Sequence, residues 1–462
     1  MSKIKDKNLL NIAIDNTKEY GSYTVENRAI PDYKDGCKPI HRKIIWAMYI
    51  KNYNSNSQFV KVAKVLGDTI GGYSPHGSSG AYSGLITIAN MYNSLLDKQG
   101  NYGSADGDSP AAERYIETRL SKLTEKLLLD KNYLAVTPMV DNYDGTLKEP
   151  VYLPSKLPMI LLMGSEGIAT GTTTLIPSFS YESVKKLILK LAKNNRECKA
   201  KDCMNLDFVF QYGGKNINTE KELLNYYKTG TEKLVFTIDT EIDEKHRIIY
   251  VKSLAPRITP SKIVETLKEY FPKDIKDVSN VMGHKSDYYV KIEVRPNVDI
   301  KELALKIEKK YSYNMNTKTI VTDRQSDSDI KFLKTTIPNI INSWFSWRIE
   351  FEKLVVNRLI KNTEDLLINN NWLLWAVNNR KLILQCLEQK DPLNFLIKKG
   401  KISKEQADFT LNLQVKRLAK LETKPLEKKI KELKQEITDL NNSIKNTKSI
   451  YNRIYQGIKM LK

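Results

Sequence analysis

The sequence predicts a multidomain α+β protein, and three observations carry that expectation. First, the middle of the chain holds β-branched and aromatic runs that read as strands: Leu234-Val-Phe-Thr-Ile-Asp-Thr-Glu-Ile, Arg247-Ile-Ile-Tyr-Val and Tyr288-Tyr-Val-Lys-Ile-Glu-Val. Second, Ser261 to Tyr270 and Ile300 to Lys309 read as amphipathic helices placed between those strands. Third, the chain from about residue 336 onward is nearly all helical. There Leu426, Ile430, Leu433, Ile437, Leu440 and Ile444 recur at spacings of four and three, a heptad seam with Lys and Glu between. At about 150 residues per domain, 462 residues imply about three domains. Texture divides the chain near residues 150 and 335.

Within the first region, Pro31 and Gly36 mark a bend and Pro39 starts a helix that continues through Ile44-Ile-Trp-Ala-Met. Lys61 to Ile70 predicts a short helix, Gly71 to Ser79 a loop containing His76, and Ser79 to Tyr92 a second helix with Leu85, Ile86 and Ala89 inward. Helix, short connection, helix is a helix-turn-helix pattern. An acidic, Gly-rich loop, Asn101 to Pro110, then leads to Arg114-Tyr115. In the last region, Phe351, Val355, Leu359 and Leu366 lie at helical spacing, and Asp391-Pro392 and Lys399-Gly400 act as breakers before the heptad seam. Two long antiparallel helices with a small helical knob satisfy this pattern; a single helix of a compact bundle satisfies it as well.

Lys and Arg number 74 against 54 Asp and Glu, a formal net charge of +20. That surplus points to a polyanion, nucleic acid before an acidic membrane surface. Abundant Lys and Asn leave a second reading open, a compositional bias spread over solvated faces. No apolar run reaches the roughly 18 residues needed to span a bilayer, and the N-terminus lacks the apolar core of a signal peptide. Four cysteines are too few for a disulfide scaffold and suggest a reducing compartment. Cys198 and Cys203 lack nearby ligands to complete a zinc set. The pairs Asp106/Asp108 and Asp327/Asp329 read as loop residues, and no phosphate-binding G-x-x-x-x-G-K-[ST] loop is present.

The basic features concentrate near the N-terminus. Arg28, Lys34, Lys38, His41, Arg42 and Lys43 surround two turns and a helix start, whose positive dipole end suits phosphate. A Tyr phenol, with a pKa of about 10, is a poor nucleophile unless a cation sits beside it. Arg114 supplies such a charge to Tyr115, although spacing alone also fits an ordinary aromatic among 25 tyrosines.

Taken in order, Arg28-Ala-Ile-Pro-Asp, Asp35-Gly-Cys-Lys-Pro-Ile-His-Arg-Lys, Gly67-Asp-Thr-Ile-Gly-Gly-Tyr-Ser-Pro-His-Gly, Gln99-Gly-Asn-Tyr-Gly-Ser-Ala-Asp-Gly-Asp-Ser-Pro-Ala-Ala-Glu-Arg-Tyr115, Val140-Asp-Asn-Tyr-Asp-Gly-Thr and Gly167-Ile-Ala-Thr-Gly resemble the cleavage subunit of type IIA DNA topoisomerases, the A-type subunit of gyrase and topoisomerase IV. The resemblance extends through the middle region and the helical arm. It implies an N-terminal arm over 1–27, a winged-helix cleavage domain over 28–150, an α+β tower over 151–335, and a coiled-coil arm with a dimerisation gate over 336–462.

The same resemblance implies catalytic roles for Tyr115 as nucleophile toward a DNA phosphodiester, with Arg114, His76 and Arg28 around the phosphate. It implies DNA contacts by Lys38, His41, Arg42, Lys43 and Ser79, and insertion of Ile168 between base steps. Leu411, Leu413 and Leu418 become gate residues, with local core packing the open alternative. Two departures concern drug binding: Ser83 stands where an acidic residue is common four positions after Ser79, and Ser78 replaces a common Asp.

The sequence ends at Lys462 without the DNA-wrapping pinwheel of gyrase, which implies relaxation or decatenation and an architecture close to the medium subunit of T4-type phage topoisomerases. Mg²⁺ and ATP are expected on a partner carrying Toprim and GHKL domains. The expected partners are double-stranded DNA, a second copy of the chain and that Toprim/ATPase protein. The expected location is cytoplasmic, beside the nucleoid or in an infected host.

Overall fold

The computed structural model describes residues 29–75, 77–169, 172–283, 287–326, 329–413 and 422–461. It separates into two compact units, Met1–Trp347 with Tyr455–Lys462, and Arg348–Ile454. Both β and α segments build the first unit, whereas the described elements of the second are helical.

The first unit opens with three mutually packed helices, α1 (Pro39–Ile50), α2 (Val62–Tyr73) and α3 (Ser78–Asn90). Pro39 occupies the first turn of α1, where its fixed φ suits the helix and its missing N–H is not needed. Ile44, Ile45, Met48, Val65, Leu66, Leu85 and Ile88 are buried. The expected inward set on α3 is thereby corrected: Ile88 and not Ile86 joins Leu85 and Ala89. Spacings of three and four keep those three on one helical stripe. The expected loop from Gly71 is also shorter. The buried stripe Val62, Val65, Leu66, Thr69 and Tyr73 carries α2 through Gly71 and Gly72, and burying Tyr73 offsets the roughly 1 kcal/mol that each helical glycine costs.

Against these helices lies a three-stranded antiparallel sheet of β1 (Val60–Lys61), β2 (Leu96–Gln99) and β3 (Glu117–Leu120), in the order β1-β3-β2. The helices α4 (Lys122–Leu128) and α5 (Lys131–Leu134) follow, then a hairpin of β4 (Met139–Asp141) and β5 (Lys148–Pro150), the buried helix α6 (Met159–Met163), and a second hairpin of β6 (Ser165–Ala169) and β7 (Thr172–Ile176).

Next come α7 (Tyr181–Asn194), β8 (Lys215–Asn216), α8 (Glu220–Thr229), β9 (Lys233–Thr237), β10 (Asp239–Asp243) and β11 (Ile248–Ser253). The elements α9 (Pro260–Tyr270), β12 (Ile275–Asn280), β13 (Val290–Val294), α10 (Ile300–Lys310), β14 (Ser312–Asn316), β15 (Ile320–Arg324) and β16 (Ile330–Lys334) complete this part of the unit. The run from Leu234, read as one strand, divides at the buried Ile238 into β9 and β10, which belong to different sheets. A four-stranded antiparallel sheet, β10-β11-β13-β12, carries a core with α9 and α10 that includes Ile249, Val251, Ile263, Leu267, Ile292 and Leu303. Ala105, from the loop before Tyr115, is part of that same core.

The helix α11 spans Ile337–Asn378. In the second unit it is followed by α12 (Arg380–Leu387), α13 (Pro392–Gly400), α14 (Lys404–Leu411), α15 (Thr423–Ser443) and α16 (Thr447–Lys459), the last continuing beyond that unit. Leu426 clusters with Leu373 and Val377, while Arg453 Nε donates to Glu352 2.9 Å away. The returning chain therefore runs antiparallel to α11, and Glu352, also paired with Arg348 at 2.8 Å, is a buried carboxylate held by two guanidinium groups.

The heptad seam is not one helix. Leu426, Ile430 and Leu433 are buried, but Ile437, Leu440 and Ile444 are half-exposed and α15 stops at Ser443. Asn441, Asn442 and Ser443 account for the stop, because their side chains compete for backbone hydrogen bonds; Asn441 Nδ2 donates to Ile437 O and Ser443 Oγ to Leu440 O.

Candidate functional site

Tyr115 projects from a backbone that is tied down on both sides. Its side chain is 62% exposed, while its N–H donates to Ala112 O at 2.9 Å. Two otherwise orphaned donors at the start of α2, the N–H groups of Val62 and Ala63, reach Ile116 O and Glu113 O at 3.0 and 3.1 Å. On the preceding loop, Tyr82 Oη donates to Ala111 O at 2.5 Å and the buried Tyr102 Oη to Glu117 O at 2.8 Å. Gly103, with φ +97° and a neighbouring carbonyl 2.9 Å from where a Cβ would sit, allows the loop to turn here. The exposed Arg114 places its guanidinium carbon 4.8 Å from the centre of the Tyr115 ring. A permanent cation thus stands beside a phenol whose backbone is held and whose side chain is left in solvent.

The basic segment before α1 divides between interior and surface. Arg42 is buried and forms a bidentate pair with Asp35, at 2.6 and 3.1 Å. Asp35 also accepts the N–H groups of Cys37 and Leu153. Arg42 is therefore engaged first by a protein carboxylate, with 5% of its surface left exposed. Its neighbour Lys34 is buried too, donating to Asp323 Oδ1 at 2.5 Å and Arg324 O at 2.7 Å.

His41 is 5% exposed. Burial, reinforced by Lys38 and Arg42, pushes its pKa down to about 3, so the ring is neutral and supplies no cation. Lys38 and Lys43 are half-exposed. Lys38 Nζ donates to Glu166 O at 2.6 Å, and burial lowers its pKa; Lys43 Nζ donates to Tyr73 O at 2.6 Å and pairs with Glu149 at 3.2 Å. Arg28 and His76 lie outside the described residues.

Two adjoining cavities bring these residues together around the starts of α1 and α3. One of about 600 Å³ is lined by Arg42, Lys43, Ser79 and Gly80 among others. A second of about 560 Å³ is lined by Lys38, His41, Gly80, Glu166 and Arg257 among others. Neither helix start carries a side-chain cap or an acidic residue in its first turn. By contrast, α7, α8, α9 and α10 are capped by Ser180, Thr219, Thr259 and Asp299. The starts of α1 and α3 thus keep N–H donors and a positive dipole end for an outside anion.

Ile168 is 79% exposed on β6, the most exposed large apolar side chain among the described residues. The hairpin beneath it is pressed onto the segment that follows Arg28: a Cβ on Gly167 would sit 2.2 Å from Ala29 O, so only glycine fits. Lys38 braces the hairpin from one side through Glu166 O, and Arg257 pairs with the Glu166 carboxylate from the α+β part. Sequence reasoning missed Glu166 and Arg257, because the pairing joins positions 91 residues apart and neither belongs to a motif with the other.

Among the described acidic residues, no cluster of three or more His, Cys, Asp or Glu forms a metal cage. Asp106 accepts from Ser261 N–H and Asn280 Nδ2, and Asp108 from Ser104 Oγ, so both carboxylates have protein donors. Asp327 lies outside the described residues. In the helical knob, Leu411 and Leu413 pack half-buried on the core of Leu373, Ala376 and Leu396, whereas Leu384 and Leu387 on α12 are more than half exposed; Leu418 lies outside the described residues. No described helix is long and apolar enough to cross a membrane.

Comparison with known proteins bears on the whole of this arrangement. The chain is 30% identical to the DNA gyrase A subunit of Buchnera aphidicola subsp. Acyrthosiphon pisum, over 94% of this chain and 55% of that protein. It is 28% identical to the DNA topoisomerase 4 A subunit of Bacillus subtilis, over 96% of this chain and 56% of that protein, and 30% identical to the corresponding DNA topoisomerase 4 protein of Haemophilus influenzae, over 91% and 57%. The chain spans about half the length of these curated relatives. A family model for the A subunit of DNA gyrase/topoisomerase IV matches residues 28–459. With the match running from the basic turn to the end of the helical arm, this chain belongs to the DNA gyrase/topoisomerase IV A-subunit family.

Proposed function

We propose that the chain is the DNA cleavage and rejoining subunit of a type IIA topoisomerase, an isomerase that opens one duplex, passes another through and reseals the break. The observation that carries this reading is the Arg114 guanidinium over an exposed Tyr115 on a loop held by backbone hydrogen bonds. The Tyr115 oxygen attacks a DNA phosphorus, the P–O3′ bond breaks, the 3′ oxygen leaves as a hydroxyl, and the 5′ phosphate stays on the tyrosine. Arg114, with Arg28 and His76, stabilises charge on the phosphoryl oxygens; donors preorganised for developing charge are the largest single source of such catalysis. The phosphotyrosine keeps the energy of the broken bond, so rejoining is the reverse step and needs no ATP.

The helices α1 to α3 with the sheet β1-β3-β2 serve as the winged-helix module over 28–150, followed by the tower over 151–335 and the gate-bearing arm over 336–462, with 1–27 as an arm. Lys38 and Lys43, with Ser79 and the open helix starts, take the DNA backbone; each ammonium carries three donors, so phosphate is bound beside the existing carbonyl partners. His41 lines that groove as a neutral donor or acceptor. Arg42 acts as a positioning residue that fixes the Asp35 turn. Ile168 is the wedge that unstacks a base step and bends the duplex.

The second copy of the chain docks through the cleavage module and the knob, where the exposed Leu384 and Leu387 supply apolar surface alongside Leu411 and Leu413. Mg²⁺ and ATP belong to a Toprim/ATPase partner. A change in DNA topology is the expected outcome, in the cytoplasm.

The test is to trap the intermediate. Chain, partner, Mg²⁺ and DNA, quenched with detergent, give protein covalently joined to 5′ ends, and Tyr115→Phe gives none. An adduct that persists in Tyr115→Phe overturns the assignment, and a native chain that never forms one makes this a DNA-binding protein only.

A further inference from the structure

The loop that delivers Tyr115 has an attachment that the chemistry above does not use. At its crest, Asp106 leaves the α1–α3 module and reaches the four-stranded layer. Its Oδ1 accepts the Ser261 N–H at 2.8 Å, at the start of α9, and its Oδ2 accepts Asn280 Nδ2 at 2.8 Å, at the end of β12. These partners are 155 and 174 residues away in sequence.

Two neighbours deepen the attachment. Ala105 is 6% exposed within the core of Ile263, Val290 and Ile292, and Gly107 lies over the Thr259 side chain that caps α9. The helix α9 has no acidic residue in its own first turn. Asp106 therefore supplies, from another part of the chain, the negative charge that a helix start favours.

We propose that Asp106 is a positioning residue that latches the nucleophile loop to the α9–β12 layer, so that the place of Tyr115 over a phosphate is set by that layer and not by the α1–α3 module alone. The proposal rests on the reading of Tyr115 as nucleophile. Other ties of the loop, Tyr82 Oη to Ala111 O, Tyr102 Oη to Glu117 O and Ala111 N–H to Asn101 O, run to α3, to β3 and to the loop itself. The Asp106 hydrogen bonds, the burial of Ala105 and the approach of Gly107 to Thr259 join the loop to the sheet layer. An in-line attack loses about 10²-fold in rate for a misplacement of roughly 1 Å. Loosening this latch therefore slows cleavage without touching a DNA contact.

The test uses the full chain with its Toprim/ATPase partner and exchanges the two polar groups. Asp106→Asn sets an amide against the Asn280 amide, whose oxygen is already taken by the Met282 N–H. It is expected to lower the single-turnover rate of covalent adduct formation by about 10- to 100-fold, the scale of such misplacements, with DNA affinity and melting temperature unchanged. Asp106→Asn/Asn280→Asp restores a donor–acceptor pair and leaves Met282 an acceptor, so the rate recovers. Hydrogen exchange at Gly107 and Ala111, measured on the chain alone, quickens in the single variant and slows again in the double. A native rate in Asp106→Asn, or a double variant that folds but cleaves no faster than the single, overturns the latch. If the native protein forms no adduct, the nucleophile reading fails, and unchanged exchange in Asp106→Asn then separately overturns the latch.

Discussion

Two segments of the first unit look alike as sequence and fold in opposite senses. The stretch Arg28 to Lys43 and the stretch Asn101 to Tyr115 both combine charges with turn residues. In the first, much of the charge turns inward: Lys34 is 1%, Asp35 0% and Arg42 5% exposed. Burial raises the Asp32 carboxyl to about 6, and Asp32 accepts the N–H groups of Lys34 and Arg324. In the second, the backbone is fastened and the side chains of Arg114 and Tyr115 remain in solvent. The difference shows that charge in a motif does two jobs. One sets the scaffold, and the other is left in solvent on a loop that the scaffold holds still.

The comparison breaks most visibly at Asp35. Asp35→Ala leaves the buried Arg42 guanidinium without its carboxylate and is expected to destabilise the protein by about 3–5 kcal/mol in denaturant unfolding. An unchanged midpoint would mean the inward charges are not structural.

Arg114→Ala is the counterpart on the outward segment. Adduct formation falls by about 10²–10³-fold, the scale for losing one transition-state donor, and the melting temperature stays put because the side chain is exposed. A large drop in melting temperature would erase the contrast.

Ile168→Ala is expected to leave stability within about 0.5 kcal/mol while DNA bending, read by end-to-end energy transfer, and cleavage both fall more than affinity does. Unstacking a base step costs a few kcal/mol that the wedge offsets. Equal losses in bending, cleavage and affinity would argue against a wedge.

The inward segment also carries a pH dependence at His41. Its folded pKa of about 3 lies below the ordinary 6.5, so its contribution to stability is whole above pH 6.5 and is lost as pH falls toward 3, where the unfolded chain takes a proton that the folded one refuses. The native protein should therefore lose stability relative to His41→Gln between pH 7 and about 4.5. A constant difference across that window would show that the ring is not buried neutral.

What could be seen in the sequence was local. Pro39 announced the start of α1, apolar residues at 3 and 4 spacing announced α2, α3 and the arm, and β-branched runs announced β11 and β13, because turn chemistry and periodicity act over a few residues. Long motifs in order also announced Arg114-Tyr115 and Ile168, and both stand exposed. The sequence could not show that Arg42 faces Asp35 across a turn made by Gly36, whose φ of +69° and contact with Ile160 admit no Cβ. Nor could it show that Glu166 meets Arg257, or that Asp106 meets Ser261 and Asn280. The sequence by itself determined which residues carry charge, where helices begin and which tyrosine has a cation beside it. Only the tertiary structure decided which charges are desolvated and paired, because that depends on partners brought from up to 292 residues away, and the cost of burying a charge is set by those partners and not by the neighbours along the chain.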